Sequence, residues 1–390
     1  MSEKLKNGDK MNKKYLFLYL NTGGGHLAPA KAIAEQINKN LENNIDVILI
    51  DGFENANKNF RDLIEKGYKF LQNKAPWFYE FIYAINKFPL FSKSTVKNIS
   101  KMVYKDFENL ITNEKPDKIV IFHSFLIEPT LNVIEKFNLK IPVLILVTDP
   151  ITPPPIWFFK NNLDYIVFSD EAKKIAKQNK IPDEKLNVFP FALNDKFSKG
   201  MSAKAIKEFK KSHEISTELP MILIIGGADG IPKGKKIVRQ LINSEVEAGI
   251  AIVCGRNKKL FNKIAEFKEK NNLENLKIFG FVDFVYELMS ASDIVISKSG
   301  ASTFMEILLT KKLPVISSYL WEQEKGNVDF ITNNNLGIYE TSSKKIAKFC
   351  SEILNDAKKY KNYQKNISSK KIENGTEKIA DFIISYREKK

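Results

Sequence analysis

An apolar run, Tyr15-Leu16-Phe17-Leu18-Tyr19-Leu20, leads into Asn21-Thr22-Gly23-Gly24-Gly25-His26, and that turn leads into Ala30-Lys31-Ala32-Ile33-Ala34-Glu35-Gln36-Ile37. The order predicts a strand, a glycine turn and the start of a helix. Glycines allow a sharp bend and leave no side chain between the backbone and a ligand. The helix directs its free N–H groups and the positive end of its dipole at the same point. His26 adds a group whose ordinary pKa, about 6.5, suits proton transfer near neutral pH. A plain strand–helix turn needs neither three glycines nor one of the chain's 3 histidines. The dinucleotide fingerprint Gly-x-Gly-x-x-Gly is not met, since His26, Leu27 and Ala28 follow Gly25.

Candidate strands in the first half are Tyr15–Asn21, Ile45–Asp51, Lys118–His123, Val143–Thr148, Tyr165–Ser169 and Asn187–Phe191. They are apolar and β-branched with little alternation, as in a parallel sheet covered on both faces. After a linker near Phe191–Gly200 and a basic helix, Ser202–Lys211, the pattern restarts. Strands are expected at Met221–Ile225, Ile250–Cys254, Leu276–Phe279, Ile294–Ser297 and Leu313–Ser317. The first of these again ends in glycines, Gly226-Gly227-Ala228-Asp229-Gly230. Two such units predict two Rossmann-like α/β domains. The expected division is a disordered tail over 1–14, a first domain over 15–197, a second over 198–365, and a C-terminal helix over 366–390 that packs back on the first domain. A chain of 390 residues is long enough for two full cores. Gly234-Lys235-Lys236 lacks the Ser or Thr of a P-loop, which argues against nucleotide hydrolysis.

The formal net charge is +15 with a pI near 9.3, which calls for an anionic partner or reflects a Lys/Asn-rich composition. Cys254 and Cys350 are the only cysteines, so no disulfide framework is expected and a reducing compartment fits. Neither a signal peptide nor a membrane-spanning run is expected.

Chemistry-bearing residues of the second half fall at expected strand ends, where open α/β sheets bind ligands. Arg256 follows one strand and Phe281-Val282 another. Lys298-Ser299-Gly300-Ala301-Ser302-Thr303 follows a third and opens a helix containing Glu306. Small residues at a helix N-terminus cradle phosphate, and a carboxylate one turn in can hold the two hydroxyls of a ribose. Gln323 and Glu324 suit sugar hydroxyls. Taken singly, each is also ordinary capping and turn chemistry.

Together these residues resemble a known family. Thr22-Gly23-Gly24-Gly25-His26 with Ala28 and Ala30 is similar to the N-terminal motif of the diacylglycerol glycosyltransferases, relatives of the transferase that makes lipid II. Ser297-Lys298-Ser299-Gly300 with Glu306 resembles the family's donor-nucleotide signature. Gln323-Glu324-Lys325-Gly326-Asn327 resembles its Gln-Glu-x-Gly-Asn motif. Val147-Thr148-Asp149, with Trp157 downstream, resembles its cleft segment. The resemblance covers roughly residues 15 to 355. It implies a GT-B fold with two Rossmann-like domains facing a cleft, and inverting transfer without metal. The donor, UDP-galactose or UDP-glucose, would be the only cofactor.

By the same resemblance His26 is the general base, and Asp149 orients the acceptor or His26. Gly24, Gly25, Gly227, Arg256, Phe281, Val282, Lys298, Ser299, Gly300, Ala301, Ser302, Thr303, Glu306, Gln323, Glu324 and Asn327 hold the donor. Two positions depart from the family pattern. Ala301 stands where a second glycine is usual, and Leu320-Trp321-Glu322 stands where Pro-Gly usually precedes Gln-Glu. The latter brings Trp321 near the hexose. His123 reads as a cleft-lining structural residue and His213 as a solvated one.

Between Ala75 and Phe107, aromatic residues interleave with lysines. Trp77, Phe78, Phe81, Tyr83, Lys87 and Phe88 are expected to meet the acceptor and an anionic membrane surface. The mixture also fits single-stranded nucleic acid or a core helix pair with one wet face. The expected protein is therefore a peripheral enzyme on the cytoplasmic face of the cell membrane. It moves hexose from a UDP-sugar to diacylglycerol or a similar lipid hydroxyl, with no nucleic-acid partner. Alternatives are a lipid II-type N-acetylglucosaminyltransferase, a UDP-sugar epimerase on the same fold, and a non-enzymatic basic binding protein.

Overall fold

The computed structural model describes residues 12–21, 24–39, 44–57, 60–61 and 89–387, without the side chains of 89–93 and 321. The chain forms two parallel sheets of six strands each. The first contains β1 Lys13–Tyr19, β2 Ile45–Asp51, β3 Lys118–Ile121, β4 Val143–Leu146, β5 Asp164–Val167 and β6 Leu186–Val188, in the order β2-β1-β3-β4-β5-β6. The second contains β7 Met221–Ile225, β8 Gly249–Val253, β9 Leu276–Phe279, β10 Ile294–Lys298, β11 Leu313–Ser318 and β12 Ile338–Tyr339, in the order β12-β11-β10-β7-β8-β9. Residues 118–121, 143–146 and 164–167 are buried throughout, as strands covered by helices on both faces require.

Each sheet reverses its strand order once, between β1 and β3 in the first domain and between β7 and β10 in the second. Loops diverge at such a reversal and leave a crevice at the C-terminal strand ends. His26 lies at the first crevice, and Gly227 and Lys298 lie at the second.

Strand β1 begins at Lys13, inside the segment expected to be a disordered tail. Lys13 and Lys14 pair in parallel with Ile45 and Asp46. The Lys14 N–H donates to Asp117 at 2.7 Å and its ammonium meets Glu114 at 3.0 Å. The charged side chains hide this strand start from a hydrophobicity reading. The two-residue strand β12 was likewise not expected.

The chain returns to its first domain at the end. Helix Thr376–Ser385 inserts Ile379, Ala380 and Ile383 into the core built on Tyr15, Phe17, Ile33 and Val120. A Cβ on Gly375 would stand 2.0 Å from the Pro190 carbonyl, so only glycine permits that crossing. Asn374 donates to the Leu193 carbonyl at 2.8 Å. Lys118, 4 % exposed, gives its ammonium to the carbonyls of Ile383 and Ile384 at the helix C-terminus and faces the Tyr15 ring. The positive charge satisfies carbonyls that the helix itself leaves unpaired, while burial lowers the ammonium pKa to about 8.

Candidate active site

Strands β1, β3 and β4 lie side by side, so the residues after their C-terminal ends meet. His26 is in the first turn of helix Gly24–Lys39 after β1. Phe122 and His123 follow β3, and Thr148 and Asp149 follow β4. His26 Nδ1 stands 3.0 Å from the Phe122 carbonyl and 2.6 Å from the Thr148 hydroxyl. A carbonyl only accepts, so Nδ1 carries the hydrogen and Nε2 keeps the lone pair. Burial pushes the His26 pKa down from 6.5 to about 4, opposed by the Phe122 carbonyl. The ring is neutral at pH 7, the form a base needs.

The His123 ring lies 4.5 Å from that of His26, and both rings lie 6.3–6.5 Å from Trp157. Three consecutive prolines, Pro153–Pro155, stiffen the backbone that delivers Trp157. The indole is 2 % exposed, and its N–H donates to Asp149 Oδ2 at 2.8 Å. Gln323, from the second domain, donates to Asp149 Oδ1 at 2.7 Å. Asp149 is 7 % exposed. Burial raises its pKa to about 6, the hydrogen bonds from Gln323 and Trp157 pull it down, and Glu324 pushes it up. Asp149 was expected to orient either the acceptor or His26. His26 is held by Thr148 and the Phe122 carbonyl, while Asp149 bonds to Trp157 and, across the domains, to Gln323.

That contact continues at Thr152. Its hydroxyl approaches the carbonyls of Glu322 and Gln323 at 3.2 and 3.1 Å and accepts from the Gly326 N–H at 3.3 Å. A Cβ on Gly326 would come within 2.6 Å of Thr152. The glycine of the Gln-Glu-Lys-Gly-Asn run is where the two domains touch backbone to side chain.

In the second domain the loops after β7, β8, β9 and β10 converge. Gly227 has φ +81°, and a Cβ on it or on Gly300 would lie 3.8 Å from Lys298 Cε. Lys298 thus sits between two bare backbone segments. Gly255, at φ +59°, presses on the carbonyl of Ala228, which accepts the Arg256 N–H at 2.6 Å. The Arg256 guanidinium stacks 5.0 Å from the Phe281 ring, itself 62 % exposed. Val282 is half-buried and packs on the core beneath.

Helix Ala301–Leu309 opens at Gly300. Ala301 packs its methyl against the first domain's core with Met305 and Leu309, leaving its N-terminal backbone for a ligand. Glu306 is on the face shared by Ser302 and Thr303. Burial raises its pKa to about 7, and among the described residues nothing hydrogen-bonds to its carboxylate. The hydroxyl of Ser302 is likewise buried without a partner among them.

Other residues expected on the donor side bond within the protein. Ser299 is wholly buried, and its hydroxyl lies 3.4 Å from both the Glu324 carbonyl and Oε2. Asn327 is 1 % exposed and donates to the Ser299 carbonyl at 2.8 Å. Glu324 accepts the Leu320 N–H at 2.6 Å at the start of helix Trp321–Asn333. Ser299, Glu324 and Asn327 therefore brace the Lys298–Gly300 loop from behind, and Gln323 is spent on Asp149.

His213 is half-buried, packed 4.3–4.7 Å from the rings of Phe209 and Phe284, rather than solvated. Among the described residues, a Cβ on Gly24 or Gly25 would meet no atom within 4 Å. Thr22, Gly23, Trp77, Phe78, Phe81, Tyr83, Lys87 and Phe88 lie outside the described residues, as does the Trp321 side chain. Among the described residues no cluster of His, Cys, Asp and Glu could hold a metal ion.

Comparison with known proteins accounts for both halves. Residues 26–190 match the monogalactosyldiacylglycerol (MGDG) synthase family, and residues 221–383 match the glycosyltransferase family 28 C-terminal domain. The chain thus joins a region like the MGDG synthases to one like the glycosyltransferase family 28 C-terminal domain. Among its relatives, the chloroplastic monogalactosyldiacylglycerol synthase of Spinacia oleracea is 27% identical over 350 residues, 87% of this chain and 66% of the relative. The processive diacylglycerol beta-glucosyltransferase of Staphylococcus haemolyticus is 28% identical over 312 residues, 78% of this chain and 75% of the relative. The chain spans just under two thirds of the plant synthases it matches first.

Solved structures with the same GT-B fold include Acinetobacter baumannii MurG (TM-score 0.60, 14% identity, covering 96% of this chain and 100% of that one). Anabaena Alr3699/HepE in complex with UDP is another (TM-score 0.55, 14% identity, covering 96% and 100%). The expected fold class, an α/β protein with two Rossmann-like domains facing a cleft, is thus the fold of this protein.

Proposed function

We propose that this protein transfers a hexose, galactose or glucose, from a UDP-sugar to diacylglycerol or a similar lipid hydroxyl at a membrane surface. The observation that carries the reading is His26. It is a neutral imidazole with its lone pair on Nε2, set at the first domain's crevice, while the Lys298–Gly300 loop opens the second domain's crevice. The names of the relatives supply the substrate classes, and the UDP bound in a structural neighbour supports the nucleotide.

In this reading the acceptor oxygen attacks the anomeric carbon and its proton passes to His26 Nε2. The bond from that carbon to the phosphate oxygen breaks, and UDP leaves with the electron pair. One in-line displacement inverts the anomeric centre. The charge on the departing phosphate meets Lys298 and the N-terminal N–H groups of helix Ala301–Leu309, which are preorganised donors. The bare backbones of Gly227 and Gly300 let it approach. Phe281, backed by Arg256, offers a face to the planar base, and Glu306 offers its unpartnered carboxylate to the ribose. The acceptor approaches beside Gly24 and Gly25.

No helix among the described residues is long and apolar enough to cross a membrane. We place the protein peripherally, on the cytoplasmic face, through the aromatic and lysine residues near Trp77–Phe88 and the +15 net charge. Each lysine near an anionic surface contributes on the order of 1 kcal/mol. The deciding experiment offers labelled UDP-galactose and UDP-glucose with diacylglycerol in anionic mixed micelles. A glycolipid from one donor supports the reading. No product from either, with UDP still bound, overturns the acceptor while leaving the donor domain in place.

A further inference from the structure

His26 and His123 are neighbours, yet the backbone holds them in opposite tautomers. The Phe122 carbonyl requires a hydrogen on His26 Nδ1, which leaves Nε2 an acceptor. The Phe125 N–H donates to His123 Nδ1 at 3.2 Å, so that nitrogen carries no hydrogen. His123 is neutral, because burial and the nearby His26 hold its pKa well below 6.5. Its hydrogen therefore sits on Nε2. Among the described residues neither Nε2 has a protein partner. Both rings keep partial exposure at the crevice. One crevice thus presents a bare lone pair and, on the adjacent ring, a bare N–H.

We infer that His123 is an acceptor-positioning residue whose Nε2–H donates to the ester carbonyl beside the reacting hydroxyl of a diacylglycerol-like lipid. A carbonyl on the neighbouring glycerol carbon is the strongest neutral acceptor within reach of that hydroxyl. Holding it fixes the hydroxyl against His26 Nε2, the positional advantage that makes bimolecular chemistry effectively unimolecular. A site built to bond a substrate oxygen also rejects the analogue that lacks it. This assignment rests on the lipid acceptor proposed above and adds its recognition.

Two substitutions separate the donor role from a merely structural one. Asn in place of His123 keeps an acceptor near the Nδ1 position for the Phe125 N–H but has nothing at Nε2. Gln in place of His123 reaches the Nε2 position with an N–H but gives up the cap. With His123→Asn, kcat/KM for diacylglycerol should fall about 10- to 100-fold, with KM for the UDP-sugar unchanged. With His123→Gln it should recover most of that loss. Wild-type protein should prefer diacylglycerol over its dialkyl ether analogue, and His123→Asn should erase the preference. An Asn variant as active as the Gln variant, or an ester preference that survives in both, overturns the proposal.

The tautomers can be read without any substrate. With 3 histidines in the chain, ¹⁵N-histidine spectra at pH 7, with the His213 signals assigned by their loss in a His213 variant, should show the His26 ring protonated at Nδ1 and the His123 ring at Nε2, and His123→Asn should remove the latter. Both rings in the same tautomer would sink the proposal whatever the true acceptor is. Failure of wild-type protein to glycosylate diacylglycerol would instead count against the function above.

Discussion

Asp149 of the first domain and Gln323 of the second meet side chain to side chain at 2.7 Å, and the carboxylate that receives this bond is almost wholly enclosed. The contact joins the loop after β4 to the helix that follows β11, so it reports directly on the closed cleft.

Its carboxylate sets a pH signature. Asp149 titrates near 6 in the folded protein against an ordinary 3.8, so the folded state holds this proton more tightly than the unfolded chain does. The stability so gained is full below about pH 4 and is lost as pH rises through 6. Asp149→Asn cannot ionise and still accepts the Trp157 N–H. Its melting temperature should gain on wild type by a few degrees between pH 5 and pH 8. A constant difference across that range would show that the carboxylate does not titrate there.

His26→Ala should lower turnover roughly 10²–10⁴-fold and leave UDP affinity as it is. Calorimetry with UDP and a radiolabel transfer assay on the same preparation separate the two quantities. Undiminished transfer would remove His26 from its role.

Gly326→Ala decides whether the closed contact matters in solution. Within a helix, alanine is better than glycine by about 0.5–1 kcal/mol, so an open protein should be stabilised. The closed structure leaves no room for the added methyl beside Thr152. The expected outcome is a turnover reduced at least about 10-fold with UDP affinity retained, since a small misplacement of reacting groups has large kinetic effects. Full turnover with a raised melting temperature would contradict the contact.

Glu306→Gln trades binding for stability. Its carboxyl titrates near 7 because it is buried, so ionisation costs stability as pH rises toward and beyond 7. The Gln variant should melt higher than wild type at pH 8. Losing a hydrogen bond from a charged group costs about 1.5–3 kcal/mol, which weakens UDP binding roughly 10- to 100-fold. An unaltered UDP affinity would end the ribose assignment.

Strand β1, the helix start at Gly24 and the second glycine loop were legible because strand ends and helix starts are local signals. The strand end at Lys298 and the helix that carries Glu306 were legible for the same reason. Thr148 stood in a recognised motif but was passed over for its neighbour Asp149, since nothing in a linear sequence says which side chain of a strand end turns toward a histidine 122 positions earlier. The Phe122 carbonyl was invisible because backbone groups carry no sequence signature. The bonds that Gln323, Glu324 and Asn327 make to Asp149, Leu320 and Ser299 were not legible, because polar residues facing another protein segment look, in sequence, like polar residues facing a sugar.

The returning helix Thr376–Ser385 has a consequence for biosynthesis. Domains generally fold in order as they leave the ribosome, but here the first core waits for Ile379, Ala380 and Ile383. The domain bearing His26 emerges early and finishes late. Until that helix is translated, the first domain exposes the apolar flank that the helix will cover.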